Sequence, residues 1–303
     1  MKVLLATEKP FAQPAVDGIR QVAADAGYEL EIIEKYERAA LLEAVATADA
    51  LIVRSDKVDA EVLDAARQLK IVVRAGAGYD NVDLAAATAH GVVVMNTPGQ
   101  NSNAVAELVF AMLLFLARQR FNGKSGTELM GKTIGLYSYG HVADCVARIA
   151  LGFGMRVVTY TRRPDRPLRS GVERLASPAD VFAESDIVSL HIPLTDETRG
   201  VVNRELLSRM KPKAVLVNTA RKEVVDEAAL LDMMAQRPGL SYATDIKPDA
   251  DADFVAGFAD RYFATPKKMG AQTAEANINA GIAAARQIVA FLRDGDETFR
   301  VNK

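Results

Sequence analysis

Short β-branched runs alternate along the chain with longer stretches whose apolar residues recur at helical spacing. Strands are predicted at Val3–Ala6, Leu30–Ile33, Ala50–Val53, Ile71–Arg74 and Val92–Met95. A second series is predicted at Thr133–Tyr137, Arg156–Tyr160, Asp186–Leu190, Ala214–Val217, Ser241–Thr244 and Tyr262–Ala264. The runs are apolar almost throughout instead of alternating, as in strands of a parallel sheet covered by helices on both faces. Two such series predict an α/β chain of two Rossmann-like or flavodoxin-like parallel-sheet domains with a cleft between them. The turn residues Asn96-Thr97-Pro98-Gly99 separate the series. Asn101 or Ser102 is suited to cap a helix reaching about Arg120, and Asn122–Gly126 to follow it as loop. A last helix, from about Ala271 to Leu292 and stopped at Asp294-Gly295, is expected to pack back on the first domain. The predicted domains are thus residues 1–99 plus 272–303, and residues 100–271.

Composition narrows the function classes. With 50% hydrophobic and 25% charged residues in 303, the chain can bury sizeable cores, which excludes disorder as its main state. A net charge of −2 provides no basic excess for nucleic acid, so no such partner is expected. The single cysteine, Cys145, excludes an intrachain disulfide and fits a reducing compartment; on its helix it reads as small core packing. His90, His141 and His191 lie far apart, so no metal site is expected. The opening Met1–Pro10 has too short an apolar run for a signal peptide. The longest apolar stretch, Ala104–Ala117, is interrupted by Glu107 and falls short of the ~20 residues of a membrane span. The expected location is the cytoplasm.

The second series opens with chemistry. Between a strand and a helix stands Ser138-Tyr139-Gly140-His141-Val142-Ala143, where a dinucleotide fingerprint would read G-x-G-x-x-G. Gly140 keeps the position at which backbone approaches a pyrophosphate, alanine takes the third position, and Ser138 departs at the first. The next strand ends in Thr161-Arg162-Arg163, where an acid would hold the ribose of NAD. The two arginines read either as recognition of a 2′-phosphate, hence NADP, or as solvated loop charges.

Several segments together resemble the D-isomer-specific 2-hydroxyacid dehydrogenases, and among them short D-3-phosphoglycerate dehydrogenases without a C-terminal regulatory domain. They are Val53-Arg54-Ser55, Arg74–Asp83, Asn96-Thr97-Pro98, Asn101 through Glu107, Leu190–Thr195, Val217–Arg221 and Thr265-Pro266. The resemblance implies a substrate domain built from both termini, a central coenzyme domain, a homodimer formed through the latter, and NAD or NADP as coenzyme. It implies oxidation of 3-phosphoglycerate to 3-phosphohydroxypyruvate, the entry to serine synthesis. The chain ends soon after Phe299–Asn302, so no effector-binding domain is expected.

Residue by residue, the resemblance places Arg221 on the substrate carboxylate, a grip suited to a planar guanidinium. The Gly76-Ala77-Gly78 loop would hold the same carboxylate through backbone N–H groups. Arg54, Ser55 and Arg74 are candidates for the distal phosphate, with Lys9 a weaker one. Ser138, Tyr139, Gly140, His141, Val142, Thr161, Arg162, Arg163, His191, Ile192, Pro193, Thr219, Ala220 and Asp245 are the coenzyme candidates. Asp245 is the one expected near the nicotinamide carboxamide, and His191 is equally readable as a satisfied half-buried residue.

One departure matters for mechanism. Where the family carries Thr-Pro-His, this chain has Thr265-Pro266-Lys267-Lys268-Met269-Gly270, and Ala250 stands where the acid paired with that histidine would be. A lysine needs no carboxylate to fix a tautomer, so loss of both members together predicts Lys267 or Lys268 as the acid–base group. Free lysine, with a pKa of ~10.4, is a poor base near neutrality. Burial, the adjacent lysine and Arg221 are expected to lower it toward ~7–8, as in catalytic lysines. Two other functions are compatible with the sequence: an NADP-preferring glyoxylate or hydroxypyruvate reductase, and a non-catalytic coenzyme-sensing protein on the same fold. The latter is suggested by the altered positions Ser138, Ala143 and Thr161.

Overall fold

The computed structural model describes residues 1–302 and contains two compact units. The first joins Met1–Asn101 with Gln272–Lys303, and the second is Ser102–Ala271. In the first, β1 (Lys2–Thr7), β2 (Glu29–Glu34), β3 (Ala50–Val53), β4 (Ile71–Arg74) and β5 (Val93–Asn96) form a sheet in the order β2-β1-β3-β4-β5. Its ladders are parallel, with Val3 opposite both Leu30 and Ala50. This is the flavodoxin-like order. α1 (Gln13–Asp25) and α11 (Ala274–Asp294) cover one face, burying Ile19, Ala284 and Ile288 against Leu5, Ile52 and Val73. The other face buries Leu4, Leu51 and Val72 under α2 (Arg38–Val45), α3 (Ala60–Ala65) and α4 (Leu84–Ala89).

The second unit has seven strands. They are β6 (Thr133–Tyr137), β7 (Arg156–Tyr160), β8 (Val172–Arg174), β9 (Ile187–Leu190), β10 (Val215–Asn218), β11 (Ser241–Thr244) and β12 (Tyr262–Ala264). Their order, β12-β11-β10-β9-β6-β7-β8, is that of a Rossmann sheet with one strand added, reversing direction of build between β6 and β9. At that reversal the two strand ends are joined, since the His191 N–H donates to the Tyr137 carbonyl at 3.0 Å. α5 (Ser102–Ala117) and α6 (His141–Gly152) pack on one face, with Val109, Leu113, Val146 and Ala147 buried against Ile134 and Val157. Cys145 sits at the margin of this cluster, as core packing requires.

The two-sheet α/β reading is borne out, and the predicted strands recur to within a residue or so. Three corrections apply. β8 escaped prediction because Val-Glu-Arg is three residues long with two of them exposed, and carries no apolar run. α5 ends at Ala117 instead of near Arg120, because Gln119, Arg120 and Phe121 take left-handed backbone angles that cannot continue a helix. α11 begins at Ala274, where the Thr273 side chain accepts from the Ala276 N–H, and ends at Gly295 with φ of 68°. Its packing on the first unit, chiefly along α1, follows the prediction. No helix among the described residues is long and apolar enough to cross a membrane.

The open edge of the first sheet is covered by the chain's own tail. Val301 N–H donates to the Val94 carbonyl at 2.8 Å, and Asn302 accepts from Val94 N–H at 2.8 Å while donating to the Val92 carbonyl at 2.8 Å. A side-chain amide thus satisfies edge groups that would otherwise be left unpaired. Asn302→Ala leaves that buried donor and acceptor without partners and is expected to lower unfolding free energy by about 1–3 kcal/mol, measured by urea denaturation.

Candidate active site

The turn after β6 departs from glycine at its first position, and the backbone shows what that residue must do. Ser138 has φ of 78°, the left-handed region for which glycine is ordinarily used, and its N–H is tied to the Tyr160 carbonyl at 2.9 Å. Gly140 follows as the N-cap of α6, with no side-chain cap bond. A Cβ added at Gly140 would meet nothing within 4 Å, so the N-terminus of the helix opens onto free space. Ala143, in the third position, is fully buried. Tyr139 is committed elsewhere. Its ring is buried and its hydroxyl donates to Asp144 at 2.9 Å, with burial pushing the phenol up to about 12. Only its backbone is available to a coenzyme. Val142 is half-buried against the core and His141 is exposed.

At the end of β7, Thr161 Oγ1 accepts from the Arg163 N–H at 3.3 Å. Arg162 pairs with Glu197 at 2.9 Å, both largely exposed, a contact worth at most about 1 kcal/mol. Arg174, on the unpredicted β8, donates to the carbonyls of Arg163 and Arg166 at 3.3 and 2.7 Å and so shapes this loop. After β9, the buried His191 Nε2 lacks a partner. Burial lowers the imidazole to about 4, which keeps it neutral near pH 7. Ile192 is buried, and the carbonyl of the exposed Pro193 accepts from Thr198 Oγ1 at 2.7 Å.

The loop after β10 is shaped by a residue whose role the sequence did not reveal. Asn218 is fully buried; its Oδ1 accepts from Ala220 N–H and its Nδ2 donates to the Arg221 carbonyl, both at 2.9 Å. An asparagine directly after a strand is the available signal, since its side chain readily closes a turn on nearby backbone. Thr219, Ala220 and Arg221 are thereby fixed at the carboxyl end of the strand, and Arg221 Nη1 donates to the Ala220 carbonyl at 3.0 Å. Asp245, after β11, is 1% exposed, and it accepts from Thr265 Oγ1, Met269 N–H and Gly270 N–H. Ala250, where the resemblance expects the paired acid, donates its N–H to Glu227 at 2.8 Å.

Lys267 and Lys268 are both exposed. Burial was expected to lower the working ammonium, and this structure does not provide it. The reason is local: Pro266, Lys267, Lys268 and Met269 are consecutive exposed residues, with burial resuming only at Thr265 and Gly270.

In the first unit, Arg54 is half-buried and already engaged. Its guanidinium donates to the Lys9 and Pro10 carbonyls at 3.3 and 3.4 Å and to Asn277 Oδ1 at 2.6 Å, and lies 5.0 Å from the Phe11 ring centroid. Arg74 Nε donates to the Arg54 carbonyl at 2.8 Å, while Ser55 is exposed. The loop after β4 differs from expectation in detail. The Gly76 N–H, expected to face a carboxylate, donates to the Arg74 carbonyl at 2.9 Å, and its own carbonyl accepts from Thr97 N–H. The Ala77 carbonyl accepts from Asn96 Nδ2 at 2.6 Å. No group of three or more metal-ligating side chains exists among the described residues.

Two predictions follow from this geometry. Gly76 has φ of 151°, and a Cβ there would lie 1.7 Å from Arg74 Nη1. Gly76→Ala must therefore displace the guanidinium and is expected to cost about 1–3 kcal/mol of stability in urea denaturation. His191 is held near 4 in the folded chain against an ordinary 6.5. Between those values the unfolded chain binds a proton that the folded chain does not. Stability from this group is therefore whole above about pH 6.5 and falls on acidification toward pH 4, by on the order of 2–3 kcal/mol. In melting curves recorded from pH 7 to pH 4, His191→Gln should flatten that decline.

Similarity to known proteins points to one family. The profile described as "D-isomer specific 2-hydroxyacid dehydrogenase, NAD binding domain" matches residues 111–256. The NAD+-bound 3-phosphoglycerate dehydrogenase of Entamoeba histolytica superposes with a TM-score of 0.88 at 45% identity, covering 100% of this chain and 99% of that one. The hydroxypyruvate reductase of Thermotoga maritima is 36% identical over 86% of this chain and 90% of its own length. The D-3-phosphoglycerate dehydrogenase of Mycobacterium tuberculosis is 41% identical over 86% of this chain but only 52% of its own length. The chain thus spans about half the length of the first curated relatives it matches. The Rossmann order, the open turn at Gly140 and the extent of these matches lead to one conclusion: the chain belongs to the D-isomer-specific 2-hydroxyacid dehydrogenase family.

Proposed function

We propose that the chain is an NAD(P)-dependent dehydrogenase that oxidises D-3-phosphoglycerate to 3-phosphohydroxypyruvate. The observation that carries this reading is the end-to-end match, at 45% identity, to the Entamoeba histolytica enzyme. The open space over Gly140 and the unpartnered His191 Nε2 fit a bound dinucleotide. In this reading the backbone of Ser138–Val142 meets its pyrophosphate, Thr161–Arg163 its ribose, and His191–Pro193, Thr219, Ala220 and Asp245 the remainder. A bound nicotinamide supplies the hydride acceptor. Arg221 grips the substrate carboxylate in bidentate fashion and so orients C2. In the first unit, Ala77 and Gly78, in a loop that Gly76 holds in shape, are the substrate-loop candidates, and Arg54, Ser55 and Arg74 the candidates for the distal phosphate.

Lys267 or Lys268 removes the hydroxyl proton during oxidation and returns it during reduction. Both side chains are exposed, so the proton can pass between the amine and solvent. Domain bounds of 1–99 plus 272–303 for substrate and 100–271 for coenzyme accord with this division of labour. We further read the protein as a cytoplasmic homodimer formed through the coenzyme unit, to which the partly exposed Leu114, Phe115 and Leu116 of α5 and the exposed Phe121 contribute apolar surface. Light scattering in solution tests the dimer.

The Thermotoga maritima match over 90% of a hydroxypyruvate reductase favours a second substrate, the unphosphorylated acid. Coenzyme-dependent oxidation of 3-phosphoglycerate and of glycerate, each with NAD and with NADP, separates the two readings. Equal turnover of glycerate would remove Arg54 from any phosphate site. In the same assay one of Lys267→Ala and Lys268→Ala is expected to lose about 10²–10⁴-fold in kcat, with KM little changed. Wild-type turnover by both would end the lysine mechanism.

A further inference from the structure

Asp245 is a carboxylate almost wholly removed from solvent, yet the donors it has collected all come from one loop. Oδ1 accepts from Thr265 Oγ1 at 3.0 Å and Met269 N–H at 2.9 Å, and Oδ2 accepts from Gly270 N–H at 2.8 Å. Thr265 Oγ1 also lies 2.7 Å from the Asp245 carbonyl. The bonds fall at the two ends of Thr265–Gly270, and the residues between them are exposed. The loop thus gains little from core packing of its own, and charge-assisted bonds to a buried carboxylate are what hold it. Burying a carboxylate is costly unless donors replace its water, which these groups do.

Asp245 also reaches the neighbouring strand end. Its N–H donates to the Asn218 carbonyl at 3.0 Å, and the Asn218 side chain holds Ala220 N–H and the Arg221 carbonyl. A continuous path of hydrogen bonds therefore joins the arginine-bearing loop to the lysine-bearing loop within one unit. The fit is tight, because a Cβ on Gly270 would lie 2.9 Å from Asp245 Oδ2.

We propose that Asp245 is a positioning residue that fixes the Thr265–Gly270 loop, and with it Lys267 and Lys268, relative to the strand end that bears Arg221. The inference rests on the reading of one of these lysines as the acid–base group. Its structural half can be tested without that reading, since trypsin cleaves after lysine and both target residues lie inside the clamped segment. Asn at position 245 presents an amide donor to an N–H, so Asp245→Asn breaks the clamp from the strand side. Thr265→Val removes the hydroxyl bond from the loop side and leaves the carboxylate in place.

The experiment measures native-state tryptic nicking at Lys267 and Lys268, NADH affinity by fluorescence, and kcat and KM for 3-phosphoglycerate. The expected result for Thr265→Val is nicking accelerated by about tenfold or more, NADH affinity within about twofold, and kcat lowered about tenfold. Thr265→Ser, which keeps the hydroxyl, is expected to restore all three to wild-type values, showing that loss of the bond and not of the fold is responsible. Unchanged nicking in both Asp245→Asn and Thr265→Val, with the melting temperature retained, would overturn the proposal. So would weakened NADH binding by Asp245→Asn without faster nicking, which would make Asp245 a coenzyme contact alone. Faster nicking with wild-type kcat would uphold the clamp and overturn the lysine mechanism instead.

Discussion

A strand in a parallel sheet delivers its carboxyl end, and the chemistry of this protein depends on how those ends are held after the ladder stops. Backbone hydrogen bonds between neighbouring strands end with the Asp245 N–H on the Asn218 carbonyl and the Thr265 N–H on the Thr244 carbonyl. Beyond them, side chains take over: Asn218 closes the arginine loop and Asp245 gathers the lysine loop. Both side chains are buried, so each unsatisfied group would carry a full desolvation cost, and each is satisfied by backbone instead. Removal from solvent is what makes these bonds strong enough to define loop shape.

The same logic governs the phosphate turn. A left-handed residue is needed where β6 gives way to α6, and serine occupies it at φ of 78°. The geometry demanded by the family is retained although the residue best suited to it is not, and the Ser138–Tyr160 backbone bond helps to hold the strained residue. Gly140 then leaves the helix N-terminus uncovered, where backbone N–H groups and the helix dipole favour an anion. Topology places this opening at the reversal between β6 and β9, where ligands of such sheets bind.

The proposed use of an amine in place of an imidazole would change what the surroundings must supply. A histidine needs a carboxylate to select its tautomer; a lysine has no tautomer but must be kept from holding its proton too firmly. Lys267 and Lys268 are exposed, so the proposed mechanism calls on the fixity of the loop and not on burial. Glu227 accepts from the N–H groups of Asp249 and Ala250, which shapes that turn.

Much of this was legible before any coordinates. Apolar runs such as Ala50–Val53 and Ile71–Arg74 mark parallel strands because both of their faces are covered, and the turn between strand and helix keeps Gly140 where backbone would approach an anion. That no histidine follows His191 is a fact of residue identity. What the linear chain could not encode was partnership across long separations. Arg54 meets Asn277 across 223 positions, and Asn302 covers the edge of β5 from 208 positions away. Strand β8 has no hydrophobic signature because it is an exposed edge, and that Pro266–Met269 form an exposed run is seen only in the folded chain. Residue type and periodicity determined the sheets, the family and the candidate chemistry; tertiary structure alone decided which polar groups are already spent on one another, because burial and hydrogen-bond geometry exist only once distant segments have met.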